Sequence, residues 1–199
     1  MKVSIINASN SVVNQYLKEL RSVETQKDSM RFRRNIERIS ELMAYEVSKT
    51  LSFDSEAVQT PLGIADINTI SDHLVIATVF RAGLPMHTGF LNVFDKAESG
   101  FVSAFRKYVD NEHFEIHTEY LASPDLTGKT LIITDTMLAT GSSMYVAYRA
   151  LLKTVSLNAL SSHRFSARKK LSTISTRNLA IKLSFGLQLL TPNLMNIVI

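Results

Sequence analysis

The chain has 199 residues, 45% of them hydrophobic, and it contains no cysteine. This length and composition predict one domain with a hydrophobic core, and the lack of cysteine excludes disulfides, thiolate catalysis and cysteine-based zinc sites. Because no apolar run reaches about 18 residues and no charged-then-apolar leader opens the chain, we expect a cytoplasmic protein that neither spans nor binds a membrane.

The net charge of +4 is unevenly distributed along the chain. Residues 154–199 contain six Lys or Arg and no Asp or Glu, whereas residues 1–153 contain 16 basic and 18 acidic residues. The first 153 residues therefore have a net charge of −2. Because a nucleic-acid-binding domain concentrates positive charge on its folded body, this distribution argues against a nucleic-acid partner.

The first predicted elements are helices over residues 10–24 and 28–51, where hydrophobic residues recur at helical spacing. A turn is predicted at Thr60–Gly63, which contains a proline and a glycine. The run Leu74–Phe80 is almost continuously apolar, which is typical of a strand buried on both faces. Residues from Leu84 to Phe94 are predicted to form the helix that follows this strand.

Two extended runs, Phe101–Tyr108 and His113–Leu121, flank an Asp-Asn-Glu tripeptide and predict a hairpin. His113 and His117 lie in the second, alternating run, so we interpret them as surface residues rather than metal ligands. Strands that alternate with helices indicate an α/β fold with a parallel sheet. In such folds, ligands bind at the carboxyl ends of the strands.

The segment Leu131–Met144 has the order of a buried strand, an acidic residue, a short loop and a helix N-terminus. Backbone N–H groups at such a turn are unpaired and lie beside the positive end of the helix dipole, so a phosphate binds there readily. The hydroxyls of Thr140, Ser142 and Ser143 add hydrogen-bond donors. Asp135 lies on the other side of the loop, where its carboxylate is placed to accept hydrogen bonds from sugar hydroxyls. One loop is therefore predicted to hold a ribose 5-phosphate.

This segment resembles the phosphoribosyl diphosphate (PRPP) signature of the phosphoribosyltransferases. Within it, Met137–Gly141 is similar to the version found in uracil phosphoribosyltransferases. That family usually has proline where this chain has Thr136 and a second glycine where it has Ser142. Serine is tolerated at the second position if the backbone there does not need a positive φ.

Three other segments resemble the same family in order and spacing. Val79–Pro85 is similar to its diphosphate loop, whose Arg-Ala-Gly turn presents backbone amides and a guanidinium to the leaving group. Residues 101–107 resemble the flexible loop that closes over PRPP, with Arg106 as its phosphate contact. Residues 31–46 resemble the N-terminal helix.

The resemblance implies a type I phosphoribosyltransferase-like fold, in which a parallel sheet is flanked by helices and accompanied by N-terminal helices and a β-arm hairpin. It implies transfer of the ribose 5-phosphate of PRPP to uracil, which yields UMP and diphosphate in pyrimidine salvage. It also implies Mg²⁺ bound mainly through substrate oxygens, and a homodimer in which the hairpin over residues 101–121 reaches across to a second copy. Asp135 and Arg106 are the implied catalytic residues. The implied PRPP-binding residues are Arg81, Ala82, Gly83, Arg106, Asp135, Thr136, Met137, Leu138, Ala139, Thr140, Gly141, Ser142 and Ser143.

The composition changes after Lys153, which divides the chain into a predicted phosphoribosyltransferase domain, residues 1–153, and a tail, residues 154–199. The tail contains eleven Ser or Thr, one Gly and only weak hydrophobic periodicity. Family members instead continue with two core strands and a glycine-rich, acidic loop that holds uracil, so no uracil-binding residue is predicted here. The tail is either a basic extension that binds RNA or an acidic membrane surface, or an out-of-frame translation.

Rereading the tail in another frame favours an out-of-frame translation. When each codon's third base is joined to the next codon's first two, Lys153–Asn158 can give Asn-Gly-Gln-Pro-Lys, a turn signal where the helix is expected to end. Residues 185–199 can give WVAAIDPELNEHSYI, which resembles the family's last core strand and its lead into the uracil loop. Loss of one adenine at the Lys153 codon would explain both. The chain that ends in this out-of-frame tail, here called the literal chain, is then predicted to lack two core strands, to fold poorly and to be inactive toward uracil.

Two other functions are compatible with these motifs. A phosphoribosyltransferase for another base would share the PRPP loop. Only the particular residues of the motifs favour uracil as the base. A non-enzymatic regulator of the same fold would sense nucleotides and bind RNA, although the net charge of residues 1–153 argues against it.

Overall fold

The computed structural model describes residues 2–108, 114–136, 144–152, 181–184 and 195–198. Its helices are α1 (Val12–Arg21), α2 (Ser29–Ser48) and α3 (Leu84–Leu91), and residues 144–152 are also helical. The strands, in chain order, are β1 (Lys2–Ile5), β2 (Phe53–Thr60), β3 (Gly63–Ile70), β4 (Leu74–Phe80), β5 (Glu98–Tyr108), β6 (Phe114–Ala122), β7 (Thr130–Thr134), β8 (Ile181–Ser184) and β9 (Met195–Val198).

Seven of the described strands form one sheet in the order β1-β9-β8-β7-β4-β5-β6. Neighbouring strands pair in parallel, except for β5 and β6, which form an antiparallel hairpin at one edge. This architecture agrees with the predicted α/β fold and its largely parallel sheet. Among the described helices, none is long and apolar enough to cross a bilayer.

Capping and hydrophobic spacing explain helices α1 and α2. The Ser11 hydroxyl accepts a hydrogen bond from the Val13 N–H at 3.3 Å, and the Asp28 carboxylate accepts one from the Arg31 N–H at 3.0 Å. Such side chains satisfy N–H groups that the first turn leaves unpaired. Both predicted helices are confirmed, with shorter bounds than the sequence indicated. Their buried faces contribute these core residues: Val13, Leu17, Leu20, Ile36, Ile39, Met43, Ala44 and Val47.

Strand β4 is buried on both faces, as its apolar run predicted. Leu74 and Ile76 join the hydrophobic cluster that contains α1, α2 and α3. Val75, Ala77 and Val79 join a second cluster, with β7 and the helical residues 144–152. Because successive side chains of a strand point to opposite faces, one strand contributes to both clusters. The side chains of β4 therefore pack into hydrophobic clusters on both faces of the sheet.

The hairpin predicted over residues 101–121 is confirmed as β5 and β6, but it belongs to the main sheet. β5 pairs in parallel with β4 from Val75↔Glu98 to Phe80↔Ser103. Beyond Ser103, β5 pairs with β6, and the contact of this hairpin with a second copy stays a prediction. The hairpin that stands outside the main sheet is β2–β3, and the predicted turn at 60–63 joins its two strands.

Two short strands come from the tail. β8 pairs with β7, and β9 lies between β8 and β1. The expectation that the chain lacks two core strands is therefore wrong, because residues 181–184 and 195–198 pair within the main sheet. Strand pairing uses backbone N–H and C=O groups, which nearly every residue offers, so a segment with weak hydrophobic periodicity can still pair. The change of reading frame is a separate hypothesis and stays a prediction.

Candidate active site

The candidate site lies where two adjacent parallel strands end. β4 and β7 pair in register up to Thr78↔Thr134, so both strands leave the sheet at the same edge. The Arg81–Gly83 turn follows β4, and Asp135 follows β7 directly. Ligands of parallel α/β sheets bind at this edge. The described parts of the two predicted substrate loops are therefore neighbours.

The turn after β4 presents Arg81 to solvent and directs Gly83 inward. Arg81 and Ala82 are exposed, whereas Gly83 is buried. The Gly83 N–H donates a hydrogen bond to the Val79 carbonyl oxygen at 3.2 Å. The peptide bond between Phe80 and Arg81 is cis. An exposed guanidinium at this edge is available to an anionic ligand, with which its planar fork can pair bidentately.

Gly83 is required by space rather than by backbone conformation. Its φ of −70° is open to any residue. A Cβ at this position, however, would lie 2.8 Å from the Val79 carbonyl oxygen and 3.0 Å from the Thr134 carbonyl oxygen, and it would overlap the Thr78 hydroxyl. The turn after β4 therefore touches the last residue of β7 with no room for a side chain between them.

The segment after β7 begins with the predicted order of buried strand and acidic residue. All residues of β7 are buried, Asp135 is 9% exposed, and Thr136 is half-buried. The chain is helical again over residues 144–152, which agrees with the predicted helix after the loop. The remaining residues that were predicted to bind PRPP lie outside the described part of the chain: Met137, Leu138, Ala139, Thr140, Gly141, Ser142 and Ser143.

The backbone of Arg106 lies in β5, beyond the point where β5 pairs with β4. The parallel pairing ends at Phe80↔Ser103, and Arg106 pairs with Ile116 of β6. Residues 101–107 are therefore part of a strand and not the loop that the resemblance implied. This strand leaves the sheet at the same edge as the turn after β4. The Arg106 side chain lies outside the described part of the structure.

No group of three His, Cys, Asp or Glu side chains in the described residues could hold a metal ion. Mg²⁺ usually keeps several waters and binds one or two carboxylates together with substrate phosphates, rather than an all-protein cage. Asp135, which directly follows β7, supplies one carboxylate residue at this end of the sheet, and one or two carboxylates are what such a Mg²⁺ ion takes from a protein.

The sequence patterns did not identify the buried polar side chains of the strands and helix that lead to the two loops. Thr78 and Thr134 are both fully buried, and the Thr78 hydroxyl donates a hydrogen bond to the Thr134 carbonyl oxygen at 3.2 Å. His87 of α3 is also buried, and its Nε2 lies 3.1 Å from the Ser99 hydroxyl oxygen. In the sequence, the one indication of such a residue was Thr78, the single hydroxyl side chain in the apolar run of β4.

Burial of His87 predicts that the folded protein is less stable in acid. Burial lowers the pKa of its imidazole below the ordinary value of 6.5, and its buried Nδ1 has no hydrogen-bond partner among the described residues. As the pH falls through about 6.5, the unfolded chain therefore binds more protons than the folded chain, so stability decreases with decreasing pH. We expect the melting temperature to fall by about 2–4 °C between pH 7.5 and 5.5.

The matched variant for this test is His87→Gln, which keeps a polar side chain and does not titrate. Its melting temperature, measured by calorimetry over the same pH range, should change less than that of the wild type. An equally steep decrease in both proteins would assign the acid sensitivity to other groups.

A largely parallel sheet in which an Arg-Ala-Gly turn follows one strand and an Asp follows its neighbour is typical of a phosphoribosyltransferase-like protein. The sequence model of the uracil phosphoribosyltransferase family matches residues 7–183. The chain belongs to this family. A uracil phosphoribosyltransferase of Porphyromonas gingivalis is 55% identical over 152 residues, which cover 76% of this chain and 70% of the relative.

More distant relatives extend the similarity. A uracil phosphoribosyltransferase of Methanothermobacter thermautotrophicus is 38% identical over 143 residues, which cover 68% of this chain and 66% of that protein. A solved structure of a protein from Aquifex aeolicus matches 90% of this chain and 74% of its own with a TM-score of 0.68 at 24% identity. At that level of identity, the structural match shows a shared fold.

Proposed function

We propose that this protein transfers the ribose 5-phosphate of PRPP to uracil, releasing diphosphate and forming UMP for pyrimidine salvage in the cytoplasm. The observation that supports this proposal best is the register Thr78↔Thr134. It brings the Arg81 turn and Asp135 to one edge of the sheet, at the spacing of two neighbouring strands. A ligand with a diphosphate next to a ribose needs a cationic turn and a carboxylate side by side.

In the proposed reaction, the bond from ribose C1 to the diphosphate oxygen breaks, and a bond from C1 to a uracil nitrogen forms with loss of the proton on that nitrogen. The transition state has oxocarbenium character, so the protein contributes mainly position and charge. Asp135 would hold the ribose hydroxyls, and Arg81 and Arg106 would neutralise the diphosphate. The segment Thr140–Ser143 would bind the 5-phosphate through backbone N–H groups and hydroxyls.

Mg²⁺ is part of the proposal as a partner of the diphosphate. When bound, it would withdraw charge from the departing oxygens. Asp135 is the residue that would contact the ion or its waters. Arg81 is exposed at the same edge and would share the remaining negative charge.

The direct test is formation of UMP by the purified full chain supplied with PRPP, Mg²⁺ and each of several bases. Uracil as the preferred acceptor would support the proposal. Preference for a purine would favour a phosphoribosyltransferase for another base. Salt-dependent RNA binding without transfer activity would favour the nucleotide-sensing regulator.

We also propose that the protein is a homodimer held by the β2–β3 hairpin. The hairpin lies outside the main sheet. Its large apolar side chains are exposed, including Leu62 at 101%, Ile64 at 75% and Ile67 at 45% of full exposure. A two-stranded hairpin of this kind is marginally stable alone, and its apolar surface is typical of a surface that packs against another chain.

This proposal predicts that Ile64→Asp converts the dimer to a monomer. The change places a charge in the proposed apolar contact, where desolvation makes it costly. Sedimentation velocity should show the mass of one chain for this variant and of two for the wild type. The control is Asn68→Asp, which adds the same charge to the same face of β3 at an exposed polar position. Dissociation of both variants, or of neither, would contradict the assignment.

A further inference from the structure

One buried hydroxyl contacts both substrate loops. Thr78 lies near the end of β4 and is fully buried. Its Oγ1 donates a hydrogen bond to the Thr134 carbonyl oxygen at 3.2 Å. The same Oγ1 is so close to Gly83 that it would overlap a Cβ built on that residue. The Thr78 side chain is therefore between the turn that carries Arg81 and the peptide that leads into Asp135.

The hydrogen bond to Thr134 orients the last peptide of β7. Thr134 is fully buried and its own hydroxyl donates to the Ala77 carbonyl oxygen at 3.4 Å. The two hydroxyls thus form reciprocal links between β4 and β7, in addition to the backbone pairing. A buried carbonyl without a partner is costly, so the Thr78 hydroxyl restricts how the Thr134–Asp135 peptide can turn.

The contact with Gly83 restricts the other loop. Gly83 closes the turn that begins at Arg81, and it is surrounded by the Thr78 hydroxyl and the carbonyls of Val79 and Thr134. Movement of the turn toward β7 is prevented by these contacts, because protein interiors are close-packed. The position of Arg81 relative to Asp135 is therefore set through Thr78.

We propose that Thr78 is a positioning residue for PRPP, which fixes the distance between the diphosphate-binding turn and the ribose-binding carboxylate. This inference rests on the proposed function, since PRPP is the ligand that spans both loops. Thr78 is fully buried and does not itself contact the substrate. Its hydroxyl is the only chemical difference from valine, which would fill the same volume in an otherwise apolar strand.

The test compares Thr78→Val, which removes the hydroxyl, with Thr78→Ser, which keeps it. In the full chain, Thr78→Val should weaken PRPP binding by about 10-fold, which corresponds to ~1.4 kcal/mol and to the loss of one buried hydrogen bond. Thr78→Ser should stay within about threefold of the wild type. Calorimetric titration with PRPP and Mg²⁺ measures both.

The matched control is Thr130→Val at the other end of β7. The Thr130 hydroxyl donates to the Asp72 carboxylate at 2.9 Å, so this change also removes a side-chain hydrogen bond from the same sheet. It should lower the melting temperature without changing PRPP affinity. Equal losses of PRPP affinity in Thr78→Val and Thr130→Val would reduce Thr78 to a structural role and overturn the proposal.

A second measurement is independent of the proposed function. Amide hydrogen exchange in the Thr78→Val variant should increase in both residues 81–84 and residues 134–136, and the Thr130→Val variant should not show this pair of changes. Faster exchange in one loop alone, or in neither, would overturn the inference. If both loops respond but the wild type does not bind PRPP, the coupling is supported and the proposed function is contradicted.

Discussion

Restoring one adenine at the Lys153 codon is expected to raise the rate of UMP formation by about 100-fold or more. Out-of-frame translation of the tail would replace the segment in which the family's uracil loop is expected. The literal tail contains no Asp or Glu. A uracil molecule without its positioning contacts would not be held in line with ribose C1, and misplacement of about 1 Å can cost this much rate.

The structure changes what we expect of the literal chain. β8 pairs with β7, and β9 pairs with both β8 and β1. The strand that leads into Asp135 is therefore an interior strand of the sheet, with no unpaired side. We therefore expect the literal chain to bind PRPP and to fail chiefly in the use of uracil. The Porphyromonas relative matches 152 residues, close to the length of the chain before the tail, although the family match continues to residue 183.

The experiment is to resequence the gene from the Lys153 codon to its end and to express both forms. PRPP titration and UMP formation are then measured for each protein. Similar PRPP affinities with a large difference in UMP formation would support the frame change. Equal rates of UMP formation in the two proteins would contradict it and would leave the literal tail as a functional extension.

Gly83→Ala is expected to lower the free energy of unfolding by about 1–3 kcal/mol and to abolish measurable PRPP binding. The added methyl group would overlap the Thr78 hydroxyl and would lie too close to the carbonyl oxygens of Val79 and Thr134. Backbone carbonyls cannot move aside as a flexible side chain can. The turn must therefore shift away from β7, and Arg81 moves with it.

The matched control is Gly100→Ala in β5, the strand on the other side of β4. A Cβ on Gly100 would lie 3.3 Å from the Ala77 Cβ and 3.6 Å from the Ala122 carbonyl oxygen, a much smaller overlap. This variant should bind PRPP like the wild type. Denaturant unfolding and PRPP titration of both variants provide the comparison. Normal PRPP affinity in Gly83→Ala would mean that the turn after β4 does not belong to the site.

Several features followed directly from local sequence. The continuous apolar run of β4 indicated a strand buried on both faces, and the structure confirms this burial. Helical spacing located α1 and α2 to within a few residues. Arg81 and Asp135 were predicted at strand ends because chemistry-bearing residues followed apolar runs, and these ends are neighbours. These features depend on contacts close in sequence or on patterns that only one secondary structure satisfies.

Other features were missed because local patterns do not contain them. The β2–β3 hairpin has almost no buried residues, so it lacks the alternation that identifies a strand, and only its turn was predicted. β8 and β9 form by pairing with β7 and β1, which lie far away in sequence. The resemblance gave residues 101–107 as a loop because it did not include the pairing of residues 101–103 with β4 and of residues 101–107 with β6.

The sequence by itself determined the α/β class, the family motifs and the edge of the sheet at which they lie, since these depend on residue type and periodicity. Only the tertiary structure decided that Thr78 contacts both loops, because Thr78 and Thr134 are 56 residues apart. It also decided that Gly83 has no room for a side chain. Both facts depend on the register of two parallel strands, and register is a property of the assembled sheet that no single segment specifies.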